Sequence, residues 1–317
     1  MPAILTENSI LQTPAAMRLA TSRSVRPAEE LLAVCHFPPP GHALDLAVSG
    51  GPDSVALAAL AAMAGIKGSI WHVDHGLRPT SAEEASAVEA FAGALGMPFH
   101  LVRDAVAGGP NLEARARELR RERIPPGAAT GHTMDDQAET VLINLARGAG
   151  PRGLAGMRPG PSKPLLGIRR ADTEAICAAL GLNPIRDPSN QTPDFVRNRV
   201  RHELLPLIGE ITRRDPVPIL ARSAGVFREE DDLLDFQASA LDAEDAAALA
   251  GAARPLRMRA LRQAVSSISG YPPDRASLER LEELIARGGR FRLQLSGGVE
   301  VQCARGKIAY RAITPTD

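Results

Sequence analysis

The sequence predicts an α/β protein in which a domain with a parallel sheet is followed by a mainly helical domain that ends in a small antiparallel meander. Between residues 44 and 147, short apolar runs of strand type alternate with longer helical patterns, which indicates βαβ units. From residue 219 the pattern is helical, and from residue 291 apolar and polar residues alternate. The 317 residues are enough for two domains. We therefore expect a flexible N-terminal tail at 1–26, the sheet domain at 27–213 and the helical domain at 214–317.

The predicted strands of the sheet domain lie at 44–48, 69–73, 99–103 and 128–132. Helical patterns lie before, between and after these strands, at 27–37, 55–64, 81–95, 111–123 and 134–147. The Gly-, Pro- and Arg-rich stretch 148–164 predicts a long loop. A helix at 171–180, a loop at 183–192 and a helix at 195–207, with Pro206 near its end, complete the domain. The boundary is predicted within Gly209–Pro218, which is rich in Arg and Pro.

The second domain has helical patterns and then short alternating strands. The helices are predicted at 219–249, 256–268 and 274–287, and the strands at 291–295, 299–303 and 307–310. Ser296-Gly297-Gly298 lies between two alternating runs, which predicts a hairpin turn. One helix is basic, which is typical either of a contact with a nucleic-acid backbone or of a solvated face; its arginines are Arg254, Arg257, Arg259 and Arg262.

Composition excludes several classes of protein. The formal net charge is zero, so no global field indicates a nucleic-acid partner. The three cysteines are far apart and form no C-x-x-C pair, which argues against a zinc ribbon or a redox pair and fits a reducing cytosol. No apolar run approaches transmembrane length, and residues 1–26 lack the apolar core of a signal peptide. We expect a cytoplasmic protein that does not bind a membrane.

A glycine loop lies where the first strand of the sheet passes into a helix, with the sequence Ser49-Gly50-Gly51-Pro52-Asp53-Ser54. Adjacent glycines allow a sharp turn with inward N–H groups, and the helix start adds unpaired donors and a positive dipole end. Such a loop suits phosphate, although it matches neither the Walker A nor the G-x-G-x-x-G spacing. The alternative is a structural turn capped by Asp53 and Ser54, but the strand before and the helix after favour the phosphate site.

A second polar group follows the fourth strand. His132 ends the strand, and Asp135, Asp136 and Glu139 begin the next helix. Glu139 lies three residues after Asp136 and four after Asp135, so helical geometry places the carboxylates on one face. Close carboxylates attract Mg²⁺ or an ammonium group. The alternative is an acidic first turn that complements the helix dipole; the position at a strand's carboxyl end, where parallel sheets bind ligands, favours a site.

The second strand ends in His72-Val73-Asp74-His75. The two histidines are three residues apart and point to opposite faces of a strand, which argues against a shared metal. Asp74 lies at the carboxyl end of the strand and is a further candidate for the same crevice.

Eight sequence blocks occur in order between Ser49 and Arg201: S-G-G-P-D-S, H-V-D-H-G-L-R, N-L-E-A-R-A-R-E-L-R, T-G-H-T-M-D-D-Q-A-E-T, R-G-A-G-P-R-G-L-A-G-M, K-P-L-L, D-P-S-N and R-N-R-V-R. Together they resemble tRNA(Ile)-lysidine synthase, a family of PP-loop (N-type) ATP pyrophosphatases with an adenine nucleotide alpha-hydrolase-like fold. The blocks span about half of the chain. The resemblance makes 27–213 the catalytic domain and 214–317 a tRNA-contacting domain. It also implies that the chain lacks a further C-terminal domain that longer members carry.

The resemblance implies an ATP-dependent ligase that acts on tRNA(Ile) with a CAU anticodon. ATP adenylates C2 of the first anticodon cytidine and releases pyrophosphate, and free L-lysine then replaces AMP. The product, lysidine, changes codon reading from AUG to AUA. A homodimer is a further expectation.

Site roles follow from the same resemblance. ATP is expected to contact Ser49, Gly50, Gly51, Pro52, Asp53, Ser54, Asp74 and His132. Asp53 is expected to hold Mg²⁺, and Asp136 and Glu139 to bind the lysine amine. Arg120 is expected in the active site, although Arg121 replaces the Tyr that follows it in the family. The candidates for contacts with phosphates of ATP or tRNA are Arg147, Arg152, Arg197, Arg199 and Arg201.

Three other interpretations remain open at this point. A PP-loop enzyme of tRNA thiolation would need reactive cysteines, yet Cys35, Cys177 and Cys303 lie outside every block. GMP, asparagine and NAD synthetases share the loop but not the Arg-Gly-rich and D-P-S-N blocks. A non-catalytic RNA-binding module would be expected to lose its acidic cluster, which this chain keeps.

Overall fold

The computed structural model describes residues 26–74, 76, 80–103, 122–185 and 195–313. The chain divides into two compact units, Met1–Ala224 and Gly225–Asp317. Several predictions lie outside the described residues: the tail before Arg26, most of the helix at 111–123 with Arg120, His75, and the D-P-S-N block. The domain boundaries predicted from the sequence stay a prediction.

The first unit contains a four-stranded parallel sheet, which confirms the predicted α/β class. Its strands are β1 (Leu46–Ala47), β2 (Ile70–Asp74), β3 (Phe99–Arg103) and β4 (Ala129–Thr130). The spatial order is β3-β2-β1-β4, with Leu46 paired both to Ile70 and to Ala129. The order therefore reverses at β1, and the crevice between the carboxyl ends of β1 and β4 is where such sheets bind ligands.

Helices of the first unit accompany this sheet. They are α1 (Ala28–Ala33), α2 (Pro52–Met63), α3 (Ser81–Leu95), α4 (Met134–Ala146), α5 (Pro151–Leu154) and α6 (Arg170–Ala179). Every residue from Ser54 to Ala61 of α2 is buried. α2 packs against α6, and the core also contains Leu46, Ile70 and Phe91. The small side chains of α2, mostly Ala, let its neighbours approach closely, so the helix that follows the glycine loop is held firmly.

Two predictions between residues 148 and 212 are wrong in detail. The predicted loop contains α5, whose first residue, Pro151, has the φ angle that suits a helix start. The helix predicted to end near Pro206 continues to Thr212. It consists of α7 (Val196–Arg199), a π-helical turn (Val200–Leu204) and α8 (Leu205–Thr212). Pro206 is the second residue of α8, and the wider turn before it accommodates the hydrogen bond that a proline cannot donate.

The second unit is mainly helical, and its predicted meander is confirmed. Its helices are α9 (Pro216–Ser239, which begins in the first unit), α10 (Ala246–Gly251), α11 (Arg254–Ser269) and α12 (Arg275–Arg287). The antiparallel strands β5 (Phe291–Leu295), β6 (Val299–Ala304) and β7 (Lys307–Ala312) lie in chain order. Gly297 and Gly298 have φ angles of 88° and 70°, as the hairpin turn requires.

The single helix predicted at 219–249 is interrupted. Asp245 begins α10 by accepting hydrogen bonds from the N–H groups of Ala247 and Ala248, so the chain turns between α9 and α10. Asp242 supports the turn by accepting the N–H of Glu244.

The basic helix α11 directs most of its arginines into the second unit. Arg254 and Arg257 both pair with Glu282, at 3.3 and 2.6 Å. Arg259 is 8% exposed and pairs with Asp231 at 2.6 Å. These ion pairs hold the helices together, which favours a structural role over a contact with a nucleic-acid backbone.

Candidate functional site

The glycine loop is closed by its own hydroxyl groups. Ser54 Oγ accepts the N–H of Ser49 at 3.1 Å and donates to the carbonyl of Gly51 at 2.9 Å. Gly50 has a φ angle of 88°, and a Cβ atom there would lie 2.3 Å from Ile185 Cδ1. The positive φ angle favours glycine at this position, and a larger residue would also displace the end of the Ile185 side chain. The loop therefore has a fixed shape before any ligand binds.

A cavity of about 310 Å³ opens above this loop at the carboxyl ends of β1 and β4. The predicted site residues that line it are Ser49, Gly51, Pro52, Asp53, Ser54, His132, Asp136 and Arg201. Gly131 lies so close to α2 that a Cβ atom would be 2.6 Å from the Asp53 carbonyl oxygen. This close approach brings the end of β4 against the start of α2. The two sequence blocks that looked most functional therefore share one crevice.

Asp136 and Glu139 project from the first turns of α4 toward three arginines. Thr133 donates its N–H and its hydroxyl to Asp136 Oδ2 at 2.8 and 2.9 Å, which fixes the carboxylate at the helix start. The other oxygen of Asp136 accepts from Arg170 at 3.1 Å and from Arg197 at 2.9 Å. The acidic first turn is thus both a cap and part of a charged cluster.

Glu139 is the most deeply buried member of this cluster, with 0% exposure. Its carboxylate accepts from Arg197 Nε and Arg201 Nε, each at 2.6 Å, and Arg170 Nη1 lies at 3.5 Å. A buried carboxylate is stable only when it is paired and hydrogen-bonded. The three guanidinium groups therefore neutralise Glu139 in the structure.

Asp53 lies in the first turn of α2 and contacts the same cluster through residues of α6. Arg170 Nε donates to Asp53 Oδ2 at 3.2 Å, and the Thr173 hydroxyl donates to Oδ1 at 2.5 Å. Burial raises the pKa of Asp53 above its ordinary value, although Arg170 and Thr173 act in the opposite direction. Burial also opposes ionisation of Asp136, but Arg170, Arg197 and the Thr133 N–H prevail and lower its pKa to about 2.

The guanidinium group of Arg170 bridges Asp53 and Asp136. The two carboxylates can therefore hold a positive charge between them, which is the first requirement for the expected Mg²⁺ site. The described residues contain no group of three or more His, Cys, Asp and Glu side chains that could enclose a metal. Mg²⁺ commonly takes only one or two protein carboxylates, with substrate phosphates and water as its other ligands. The residues present therefore fit Mg²⁺ that arrives with a phosphate ligand.

Comparison with known proteins identifies the family. The family model described as "PP-loop domain" matches residues 23–208. A tRNA(Ile)-lysidine synthase of Rhodococcus opacus is 40% identical over 80% of this chain and 83% of its own length. That of Mycolicibacterium paratuberculosis is 45% identical over 68% of this chain and 72% of its own length. The chain belongs to the tRNA(Ile)-lysidine synthase family of PP-loop proteins. Family membership confirms the resemblance found in the sequence.

A solved structure also resembles this member of the lysidine synthase family. It is the U34-tRNA thiolase NcsA from Methanococcus maripaludis with its [4Fe-4S] cluster, with a TM-score of 0.49 and 17% identity over 64% of this chain and 77% of that chain. A likeness at this level carries no argument about function. In the part of the chain that the structure describes, no helix has the length and apolar character needed to cross a membrane.

Other residues expected at the site of a lysidine synthase lie outside the cavity or outside the described residues. Asp74 caps the chain after β2 by accepting the Gly76 N–H at 2.8 Å and does not line the cavity. Arg147 is exposed at the end of α4. Arg199 pairs with Glu203 at 3.0 Å on the surface. Arg120 lies outside the described residues. His72 is buried, and its Nδ1 contacts the Val48 carbonyl at 2.8 Å, which indicates a structural role.

Two members of the cluster could not be named from the sequence blocks of the lysidine synthase family. Arg170 contacts Asp53, Asp136 and Glu139, and Thr173 contacts Asp53. One sequence signal existed: Arg169-Arg170, at the start of a predicted helix, follows K-P-L-L after only two residues. A helix N-terminus disfavours cations, so an arginine pair there needs carboxylate partners from elsewhere.

A second cavity, of about 280 Å³, lies beside the acidic cluster. Arg170 and Arg201 line both cavities, so their side chains form a shared wall. The polar residues of the second cavity are Asp135, Glu139, Arg169, Arg170, Arg201, Arg214 and Asp215. Asp135 accepts from Arg169 Nε at 3.0 Å and from the backbone N–H of Arg170 at 2.9 Å.

Proposed function

We propose that the protein ligates free L-lysine to C2 of the first anticodon cytidine of tRNA(Ile) with a CAU anticodon, at the expense of ATP. The products are lysidine in the tRNA, AMP and pyrophosphate, and the modified anticodon reads AUA instead of AUG. One observation carries the proposal: in a member of this family, Asp136 lines the same cavity as a closed phosphate loop, and Glu139 follows it one turn later on α4. The names of the relatives contain tRNA(Ile) and lysidine, and free lysine is the amine that our proposal adds.

The glycine loop suits the phosphates of ATP. The N–H groups of the loop and the start of α2 provide donors for the pyrophosphate part. Asp53 is the carboxylate that would hold Mg²⁺, and Mg²⁺ would offset the charge of the transferring phosphoryl group. Arg170, which donates to Asp53 at 3.2 Å, would leave this carboxylate when the metal and ATP enter. Its guanidinium group would then be available for phosphate oxygens.

Adenylation explains why ATP is consumed. The C2 oxygen of cytidine is a poor leaving group, so the oxygen attacks the α-phosphorus of ATP and pyrophosphate leaves. The resulting phosphate ester makes C2 open to attack by an amine, and AMP leaves with the former C2 oxygen. Negative charge develops at the phosphorus oxygens in the first step, and the N–H donors of the loop would stabilise it.

The lysine amine must lose a proton before it attacks C2. Because the ordinary pKa of a lysine side chain is near 10.4, only about one amine in a few thousand is neutral at pH 7. A carboxylate that first binds the ammonium group and then accepts its proton solves this problem. Asp136 and Glu139 are the candidates, and both are already paired with arginines. The ammonium group therefore has to replace a guanidinium group on one of them.

Sulfur transfer is the nearest alternative chemistry, and the cysteines argue against it. None of Cys35, Cys177 and Cys303 lines either cavity. Burial raises the pKa of both Cys35 and Cys177 to about 12, which suppresses the reactive thiolate. Cys303 is buried in the second unit.

The test is lysine incorporation by the full chain. Purified protein is incubated with Mg²⁺-ATP, radiolabelled lysine and unmodified tRNA(Ile) with a CAU anticodon, with tRNA(Met) in parallel. We expect label on tRNA(Ile) alone, and a loss of about a thousandfold in Asp136→Asn. Glu203→Gln, which removes a surface carboxylate paired with Arg199, is the matched control and should keep activity. Absence of label with the natural tRNA, despite pyrophosphate release with another acceptor, would overturn the proposal.

A further inference from the structure

Three polar side chains form a hydrogen-bonded chain at the end of β4. Lys163 Nζ donates to the hydroxyl oxygen of Thr130 at 2.6 Å, and the same oxygen lies 2.7 Å from Nδ1 of His132. Thr130 and His132 line the larger cavity, whereas Lys163 is not part of its lining. The ammonium group of Lys163 therefore acts on the cavity through the Thr130 hydroxyl and not directly.

The backbone around Lys163 holds this side chain in place. The N–H of Lys163 donates to the Gly160 carbonyl at 2.9 Å, and the three residues that follow, 164–166, are buried. Thr130 donates its own N–H to the Ser162 carbonyl at 3.1 Å. The turn that carries Lys163 is thus fixed against the end of β4.

The chemistry of these groups sets the direction of both side-chain hydrogen bonds. A lysine ammonium group can only donate, so the Thr130 oxygen accepts from Lys163. Among the described residues, the acceptors within reach of the hydroxyl hydrogen are His132 Nδ1, at 2.7 Å, and the Ser162 carbonyl, at 3.4 Å. The longer distance exceeds the usual O–H···O range of about 2.5–3.0 Å. Thr130 therefore donates to His132, and Nδ1 is the ring nitrogen without a proton.

A donor at Nδ1 places the single proton of a neutral imidazole on Nε2. An imidazolium group would carry a second proton on Nδ1, aimed at the hydroxyl oxygen that already accepts from the Lys163 ammonium group, and like charges oppose that state. The negative charge of Asp136 acts in the other direction, but Arg170 and Arg197 already pair with it. His132 is therefore a neutral ring with an N–H donor at Nε2.

We infer that Lys163 is a positioning residue: through Thr130 it holds His132 in the neutral tautomer with the proton on Nε2, so that His132 acts on the phosphates of ATP as a hydrogen-bond donor and not as a base. The inference rests on the proposed function and adds to it a residue outside the cavity. A neutral N–H donor stabilises the negative charge that develops on phosphate oxygens during adenylation. The proton of the lysine amine must then go to a carboxylate.

Direct binding of a phosphate is the competing role for Lys163. A phosphate-binding lysine has to present its ammonium group at the cavity surface. Lys163 is half-buried, donates to Thr130 and lines neither of the two cavities. This placement favours an action through Thr130.

The first measurement is the nitrogen NMR spectrum of the free protein with its seven histidines isotopically labelled. His132→Gln identifies the resonances of His132. In the wild type at neutral pH, we expect the shift of an unprotonated nitrogen for Nδ1 and that of a protonated nitrogen for Nε2. Lys163→Met keeps the aliphatic stem and removes the donor, so Thr130 becomes able to accept from Nδ1. The Nδ1 resonance should then move toward that of a protonated nitrogen.

The second measurement is ATP-dependent pyrophosphate release. Lys163→Met should lower kcat about tenfold, as expected for one misplaced hydrogen bond to a charged group, with the KM values for lysine and tRNA unchanged. His132→Gln supplies a neutral N–H donor near the position of Nε2, so it should retain far more activity than His132→Ala, which should lose about a hundredfold.

Lys67→Met is the matched control. Lys67 is an exposed lysine of the same unit and lines neither cavity. Its replacement should leave both the His132 resonances and the rate of pyrophosphate release unchanged.

The outcomes separate this inference from the proposed function. A proton on Nδ1 in the wild type, or His132 resonances that are the same in Lys163→Met, would overturn the inference whatever the activity. A changed spectrum with a wild-type rate would also overturn it, because the tautomer would not matter to the reaction. Equal losses in His132→Gln and His132→Ala would exclude the donor role, even if Lys163→Met does not fold. No lysine transfer by the wild type would refute the proposed function itself, while the spectra would still decide the tautomer.

Discussion

Thr173 donates its hydroxyl to the carboxylate of Asp53 over 2.5 Å, although the two residues are 120 positions apart in the chain. Arg170, one helical turn earlier on α6, donates to the other oxygen of the same carboxylate. One face of α6 therefore sets the orientation of the acidic residue that follows the phosphate loop. Thr173 is fully buried and positions Asp53.

We predict that Thr173→Val lowers the rate of ATP-dependent pyrophosphate release. Valine keeps the shape of the side chain but removes the hydrogen bond, which should cost about tenfold in kcat with little change in the KM for lysine. Thr173→Ser restores the hydroxyl and should recover most of the rate. An equal defect in the Val and Ser variants would show that the methyl group, through packing, is what matters.

We predict that Gly50→Ala weakens ATP binding, whereas Gly41→Ala does not. The two glycines have nearly the same φ angle, 88° and 86°, so alanine should cost about 1–2 kcal/mol of backbone energy at each. Only Gly50 faces a neighbour, Ile185, and nothing lies within 4 Å of a Cβ atom at Gly41. Calorimetric ATP titration and thermal denaturation of both variants measure the difference. Similar ATP affinities in the two variants would contradict a closed loop.

We predict that ATP changes the intrinsic fluorescence of the protein. Trp71 is the single tryptophan of the chain, it lines the larger cavity, and it stacks on His100 with a centroid distance of 4.3 Å. Its indole nitrogen is buried and has no hydrogen-bond partner in the described structure, so an entering ligand would alter its surroundings. Emission is recorded during an ATP titration, with Gly50→Ala as the control that binds ATP more weakly. An unchanged spectrum at ATP concentrations that support pyrophosphate release would place the nucleotide elsewhere.

We predict that Asp136 stabilises the folded protein at neutral pH and that this stabilisation is lost in acid. Its pKa is about 2 in the folded state, whereas the ordinary value for an aspartate is 3.8, so the folded state binds this proton more weakly than the unfolded state. The stabilisation is therefore present above about pH 4 and is lost as the pH falls toward 2. A shift of this size corresponds to about 2 kcal/mol.

Urea denaturation of the wild type and Asp136→Asn between pH 3 and pH 7 measures this effect. The wild-type advantage in unfolding free energy should shrink as the pH decreases, while groups common to both proteins cancel. Parallel curves over the whole range would contradict the low pKa. Asp53 has a raised pKa and the opposite sign, so it should be kept unchanged in this comparison.

Local sequence signals predicted the parts of the site that are continuous in the chain. The glycine loop, the acidic start of α4 and the strand ends were found because each has a pattern within about ten residues. Arg170 and Thr173 were missed because their partner, Asp53, lies 117 and 120 residues away, and no periodicity encodes such a contact.

The roles of Arg197 and Arg201 were also only partly predictable. Sequence suggested contacts with phosphates, whereas the structure pairs both residues with Glu139. A count of charges along the chain does not reveal which opposite charge a side chain will meet, because the partner is chosen by tertiary packing. The continuation of the helix past Pro206 has a similar origin, since the π-helical turn that accommodates it has no simple sequence signature.

The burial of Glu139 beneath guanidinium groups has a consequence for selectivity among amines. The arginines are tethered to the same fold, so their effective concentration at this carboxylate is high, and a free amine in solution competes poorly with them. A simple diamine offers only its ammonium charge for the exchange. An amino acid anchored at its other end raises the local concentration of its own side-chain amine to a comparable level. Under the proposed function, selection for free lysine would therefore begin before any chemistry, in the competition for one buried carboxylate.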